Sequence, residues 1–243
     1  MRLTRVHVAM PLATGAVVAL PEGPATHLTR VLRLREGDAC VLFNGDGTDH
    51  DAVLRAVGKR GVEVELTGAR TVENTSPLAL TLLQGIARGE KMDLILQKST
   101  ELGVAAVMPV FADRTEVRLE GERLAKRAAH WHSVIASACE QSGRTRLPAL
   151  DDARSLEDAM ARLPEGGLRL VLDPQGEHRF ASLAAPQGGV VVAIGPEGGW
   201  SPRDREVLRG AGFEGLRLGP RVLRTETAGL AAIAALQARF GDF

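Results

Sequence analysis

The chain has 243 residues, 44% of them hydrophobic and 25% charged, with 30 basic and 30 acidic side chains and a net charge of zero. That length can bury a substantial core in one large or two modest domains, while a balanced charge excludes a global field as the means of attracting a polyanion. Cys40 and Cys139 form neither a CxxC motif nor a disulfide framework, which suits a reducing, cytoplasmic setting.

The first twenty residues superficially imitate a signal peptide, with arginines ahead of an apolar run. His7, Pro11, Thr14 and Gly15 interrupt that run, so strand, turn and strand is the better reading. No other segment is apolar for long enough to span a bilayer, and a soluble intracellular protein is expected. Up to about Val72 the spacing predicts strands over 2–8, 15–20, 38–43, 50–57 and 61–66, divided by Pro-Glu-Gly, Asn-Gly-Asp-Gly and Lys-Arg-Gly turns. A helical interruption falls at 25–32, and the whole describes a small β-barrel. In and beside the interruption, His27, Arg30 and Arg33 are spaced three apart, so a helix would put them on roughly one face. Such a face suits either phosphate contact or plain solvation.

Glu73-Asn74-Thr75-Ser76-Pro77 is polar and then breaks, which makes it the linker candidate and divides the chain into 1–72 and 73–243. Beyond it strand and helix alternate. Strands are predicted at 78–83, 105–111 and 168–172, the last ending at Asp173-Pro174, and helices at 90–102 and 122–141. The second helix carries Leu124, Ala128, Trp131, Ile135 and Ala138 on one stripe. Alternation of this kind predicts a mostly parallel α/β sheet covered by helices. Neither GxGxxG nor a Walker loop occurs, which weakens dinucleotide and nucleoside-triphosphate readings, and no zinc-ligand spacing points to a metal.

The most informative stretch is 190–236. A buried strand at 190–194 is halted by Gly195-Pro196-Glu197-Gly198-Gly199, and Ser201-Pro202 with Asp204 restarts the chain as a capped helix. A second strand at 216–218 ends in Gly219-Pro220-Arg221-Val222-Leu223-Arg224, before Thr225 or Thr227 caps a helix of small residues. Two strand–loop–helix junctions in succession place two loops at one carboxyl edge of a parallel sheet, where open α/β sheets bind ligands.

GPEGGWSPRDRE and LGPRVLRTETAGLAAIAALQ closely resemble the signatures of the RsmE family of small-subunit ribosomal RNA uridine methyltransferases. HLTRVLRLREGD, RGEKMDLILQKSTELG and ACEQSGRTRLP match the same family in order, so the resemblance covers nearly the whole chain. It implies an N-terminal PUA-like RNA-binding barrel and a C-terminal SPOUT-type α/β domain with a trefoil knot, through which the last helix passes. The implied activity is S-adenosylmethionine-dependent methylation of uracil N3 in 16S ribosomal RNA by a homodimer, without a metal. The implied cofactor pocket comprises Leu172, Asp173, Ile194, Gly195, Pro196, Glu197, Gly198, Gly199, Leu218, Gly219, Leu223, Arg224 and Thr225. RNA-facing roles fall to Arg5, His27, Arg30, Arg33, Arg144 and Arg146, the last two in the family's EQxGR segment.

Uracil N3 carries a proton at neutral pH and lies on the Watson–Crick edge, so the base must be unpaired and the proton must leave before or during attack. That chemistry needs a proton acceptor, or a cation to stabilise the uracil anion. Glu197 and Glu226 are the available carboxylates, and Arg221 and Arg224 the available cations. Glu197 could equally hold the glycine loop by accepting backbone N–H groups, and that structural role is preferred. A ribose 2′-O-methyltransferase of the same fold and a non-catalytic RNA-binding module are the alternatives.

Overall fold

The computed structural model describes residues 3–58 and 61–243. Arg2 of the first predicted strand, and Lys59-Arg60 of a predicted turn, lie outside the described residues. The chain forms two compact units, one made of Met1–Thr75 with Ala136–Leu147 and the other of Ser76–Ile135 with Pro148–Phe243.

In the first unit, strands β1 (Arg5–His7), β2 (Val17–Ala19), β3 (Ala39–Phe43), β4 (Thr48–Gly58) and β5 (Gly61–Thr71) form a sheet in the order β1-β3-β4-β5-β2. Only the β1–β3 pair is parallel. Alternate residues of β4 and β5 point inward, so Ala52, Leu54, Val62, Val64 and Leu66 join Leu42 and Leu28 in one apolar cluster. Irregularities in register at Asp51/Ala52 and Leu54/Ala56 bend β4 around that cluster.

The predicted helix at 25–32 is a short helix, α1 (Glu22–Thr26), that widens into a π-helical turn at His27–Val31. Arg33 follows with φ of 60°, a left-handed conformation in which the chain has left the helix. The π turn and this reversal break the three-residue spacing, so Arg33 does not continue the face that carries His27 and Arg30.

The second unit contains β6 (Leu80–Gly85), α2 (Glu90–Glu101), β7 (Ala106–Phe111), α3 (Gly121–Ser142), β8 (Ala149–Leu150), β9 (Arg154–Ser155), α4 (Leu156–Met160), β10 (Leu168–Leu172), β11 (His178–Arg179), β12 (Val190–Ile194), α5 (Pro202–Gly210), β13 (Glu214–Arg217) and α6 (Thr225–Phe240). From Ala136 onward, α3 belongs to the first unit. The strands run β11-β13-β10-β12-β6-β7-β8, with β9 also on β7, and every pairing is parallel. Strand β12 lies at the centre and is buried throughout, as its unbroken run of Val, Ala and Ile requires.

Helix α5 begins as its sequence predicts. Ser201 accepts from Asp204 N–H while Asp204 accepts from Ser201 N–H, a reciprocal capping box with Pro202 in the first turn. Helix α6 begins differently. Arg224 occupies the cap position and makes no side-chain cap, and Thr225 is the first helical residue, because its hydroxyl serves another partner.

Candidate active site at the carboxyl edge of the parallel sheet

Strands β13, β10 and β12 are neighbours, and the loops leaving their carboxyl ends line an open cavity of about 440 Å³. Leu172, Asp173 and Pro174 line it from the loop after β10, Ile194 to Glu197 with Gly199 and Trp200 from the loop after β12, and Leu216 to Ala228 discontinuously from the third. All the expected pocket residues reach the cavity except Gly198. A Cβ on Gly198 would fall 2.8 Å from the Arg114 Cβ, and its carbonyl accepts from Arg114 Nη1 at 3.1 Å. The close approach that requires glycine there is therefore to the loop after β7, not to the cavity. Gly199 has φ of 66° and closes a turn onto the Pro196 carbonyl at 2.8 Å.

The loops are tied to one another by buried polar contacts. Thr225 Oγ1 donates to the Gly195 carbonyl at 2.6 Å and accepts from Gln84 Nε2 at 3.1 Å, so one hydroxyl joins the end of β6, the glycine loop and the start of α6. Gln84 is fully buried and also donates to the Gly85 carbonyl. On the other side, Ser201 Oγ donates to Asp113 Oδ2 at 2.6 Å, and Asp113 N–H reaches Asp204 Oδ1 at 3.3 Å. Arg205 on α5 forms an ion pair with Asp173.

Glu197 is held by the segment that opens α2. Its Oε1 accepts from Arg88 N–H and from Lys91 Nζ, both at 3.1 Å. Burial works against ionisation of this carboxyl, but the hydrogen bonds from Arg88, from its own backbone N–H and from Lys91, with the Lys91 charge, outweigh burial and hold it below the usual glutamate value. Glu226 lies in the cavity wall with Oε2 shielded from solvent and unpartnered. Arg221 and Arg224 are exposed and make no side-chain hydrogen bond or ion pair among the described residues.

Pro174, which follows Leu172-Asp173 in the first loop, also lines the cavity, as do Lys91, Trp200, Arg205, Leu216, Val222 and Ala228, which are not among the residues the resemblance implies. For Lys91 a signal did exist: it stands in the RGEK segment that starts a predicted helix directly after a strand of the parallel sheet. Trp200 was foreseeable only as the residue closing GPEGGW.

The residues expected to face RNA are divided in the first unit. Arg5 is placed differently from the exposed side chain that an RNA contact needs. It is buried, paired with Asp49 at 2.7 Å, stacked 4.5 Å over the Phe43 ring, and donates to the carbonyls of Cys139 at 2.8 Å and Arg144 at 3.1 Å. Arg144 is likewise buried. Lying just after the C-terminus of α3, it offers its carbonyl to Arg5 rather than its guanidinium to solvent. His27 is half-buried, whereas Arg30, Arg33 and Arg146 are exposed, with the Arg146 side chain lying against Gly47. Glu140 of the same segment is turned inward. Burial raises its carboxyl, opposed by the His7 N–H that donates to it and by the His27 and Arg5 charges.

A wholly parallel sheet whose carboxyl edge carries an open, glycine-containing cavity, in a chain with a separate small β unit, defines a ligand-binding α/β protein, and the comparisons give its class as RNA methyltransferase. Residues 74–237 match the RNA methyltransferase domain family, and residues 23–67 match the RNA methyltransferase PUA domain. The chain belongs to the ribosomal RNA small subunit methyltransferase E family. It is 30% identical to the Buchnera aphidicola (Schizaphis graminum strain) member of that name over 241 residues, covering 99% of this chain and 98% of the relative. The Neisseria gonorrhoeae ribosomal RNA small subunit methyltransferase E, solved with S-adenosyl methionine bound, is 41% identical with a TM-score of 0.95, covering 100% of both chains. A putative methyltransferase from Legionella pneumophila, in complex with the same cofactor, is 36% identical with a TM-score of 0.96 and the same coverage.

The cavity fits S-adenosylmethionine. Its size is that of a small-molecule site, and Leu172, Ile194, Leu216, Leu218 and Leu223 supply apolar walls for an adenine. Trp200 Nε1, on a lining residue, is shielded and without a partner among the described residues, as expected where a polar ligand completes a wall.

Proposed function

We propose that the protein methylates N3 of a uridine in 16S ribosomal RNA, with S-adenosylmethionine held by the three loops at the carboxyl edge. The observation that carries this reading is the cavity itself, which gathers the two quoted signatures and Leu172-Asp173 into one wall. When bound, the cofactor supplies an electrophilic methyl group on a sulfonium, which is already a good leaving group. The chain then has to position rather than activate the donor. Leu172, Ile194, Leu218 and Leu223 would enclose the adenine, backbone groups of Gly195, Pro196, Glu197 and Gly199 would approach the ligand, and the Thr225 hydroxyl fixes the glycine loop on α6.

The acceptor base enters unpaired, because N3 is otherwise engaged in Watson–Crick pairing. Residues 1–72 form the RNA-binding domain and 73–243 the methyltransferase domain in this reading. His27, Arg30, Arg33 and Arg146 contact RNA by shape and phosphate. Arg5 and Arg144 shape that surface from inside. The enzyme acts in the cytoplasm as a homodimer and needs no metal; Val222, 82% exposed in the third loop, offers apolar surface for a partner subunit.

The test is nucleoside mass analysis after incubating the protein with a labelled methyl donor and small-subunit RNA, free and assembled. N3-methyluridine is expected. A 2′-O-methyl nucleoside would install the ribose alternative, and RNA binding without methyl transfer or saturable cofactor uptake would install the non-catalytic one.

A further inference from the structure

Three carboxylates line the cavity, and the structure treats them differently. Asp173 is occupied by Arg205 and by the Gln175 N–H, which donates to its Oδ1 at 2.9 Å. Glu197 is occupied by Arg88 N–H and Lys91 Nζ. Glu226, the second residue of α6, has no partner for its shielded Oε2, although the helix start that carries it is anchored through Thr225 to Gly195. A shielded acceptor left without a donor is destabilising, so its retention in an anchored wall implies a donor that arrives with a ligand. The neighbouring cations supply the second half of the pattern. Arg221 and Arg224, from the loop that leads into α6, line the same cavity and have no acidic partner among the described residues. The pairing edge of uracil reads acceptor, donor, acceptor: a carbonyl oxygen, the N3–H and a second carbonyl oxygen. Its complement is donor, acceptor, donor, which a carboxylate with a guanidinium on each side provides.

We propose that Glu226 is the catalytic residue that takes the N3 proton of the target uracil, with Arg221 and Arg224 on the flanking carbonyl oxygens and Glu197 left to hold the loop. The inference rests on uracil N3 as the acceptor. The N3–H bond breaks with its electron pair retained on N3, and an O–H bond forms on Glu226. That pair makes the bond from N3 to the methyl carbon as the methyl–sulfur bond breaks, with its electrons kept by sulfur. Glu226 then returns the proton to water. Charge grows on the carbonyl oxygens as the proton leaves, where two guanidinium groups stabilise it most.

The experiment compares the full-length protein with Glu226→Gln and Glu226→Asp, using calorimetry for S-adenosylmethionine affinity, thermal melting for folding, and single-turnover rates across pH. Besides Glu226, the charged groups facing the cavity are Lys91 of α2, Glu197, Asp173 with Arg205 of α5, Arg221 and Arg224, and all are unchanged in these variants. Glu226→Gln is expected to bind cofactor within about twofold of the parent, yet turn over about 100-fold more slowly at about pH 7. Its deficit should shrink toward about pH 10, where hydroxide ionises the uracil without help from the chain. Glu226→Asp keeps a base and should retain a parent-like pH profile at reduced rate. Normal turnover of Glu226→Gln at neutral pH overturns the proposal, as does a deficit independent of pH. Loss of cofactor affinity in Glu226→Gln also overturns it, by making Glu226 a cofactor ligand. If the parent protein makes no N3-methyluridine, the functional reading itself fails. If it does and Glu226→Gln is unimpaired, only this inference fails.

Discussion

Glu197 stands in the sequence as a carboxylate inside a glycine loop, equally fit to move a proton or to hold a turn. Its surroundings favour holding. Two donors converge on one oxygen, and together with its own backbone N–H they keep the carboxyl ionised below the usual glutamate range despite partial burial. A carboxylate so stabilised is a weaker base. The sign of its pH dependence follows from the lowered value. The stabilisation is fully present above the unfolded value of 4.5 and is lost as pH falls through the lower folded value. Thermal midpoints of the parent and Glu197→Gln should therefore differ at neutral pH and converge in acid below the glutamate range; a constant gap would remove the loop-holding role. What could be read of this residue in the sequence was its loop and its chemistry. The partners were not readable, because Arg88 and Lys91 lie more than a hundred positions away and meet Glu197 only when β6 is laid beside β12.

At the scale of elements, local signals were read well wherever a local cause sets the structure. The strands at 168–172 and 190–194 coincide with the predicted spans: 190–194 is an unbroken apolar run buried at the centre of the sheet, and 168–172 is leucine and valine with Arg169 alone polar. The start of α5 was also readable, because Ser201, Pro202 and Asp204 act on backbone groups within three residues. The start of α6 was not, because the Thr225 hydroxyl is engaged by Gln84 of β6 and by Gly195 of the loop after β12. Two-residue strands such as β8, β9 and β11 carry no period to detect. Ser201→Ala tests the local account. It removes the cap on Asp204 N–H and the donor to Asp113 Oδ2 together, and urea unfolding should show a loss of about 1–2 kcal/mol, toward the upper end of the range for lost caps. A change below the error of the measurement would mean that α5 is fixed by packing of Leu208 and Phe213 alone.

For the whole molecule, the order of the chain and the order of its compact units do not coincide. The polar break at 73–77 reads as a boundary, yet residues 136–147 return to the first unit and complete its buried polar contacts. Arg5 donates to the buried Cys139 and Arg144 carbonyls, His7 N–H to the Glu140 carboxyl and, at the surface, Asn74 Nδ2 to the Gly143 carbonyl. Arg5 retains Asp49 without them, but its guanidinium would then exchange the Cys139 and Arg144 carbonyls for water, and the face that includes Phe43 would lie open. Exchanging such hydrogen bonds for water loses about 0.5–1.5 kcal/mol each, and about 1.5–3 kcal/mol where a charged group takes part, and together they consume much of the roughly 5–15 kcal/mol that stabilises a domain. A fragment spanning residues 1–75 is therefore expected to unfold without a cooperative transition in urea. The same fragment with residues 136–147 joined through a flexible glycine–serine linker should recover one, since the tether keeps the missing segment at high effective concentration. Followed by far-ultraviolet circular dichroism, equal cooperative transitions in both fragments would show that the first unit folds without its returning helix end.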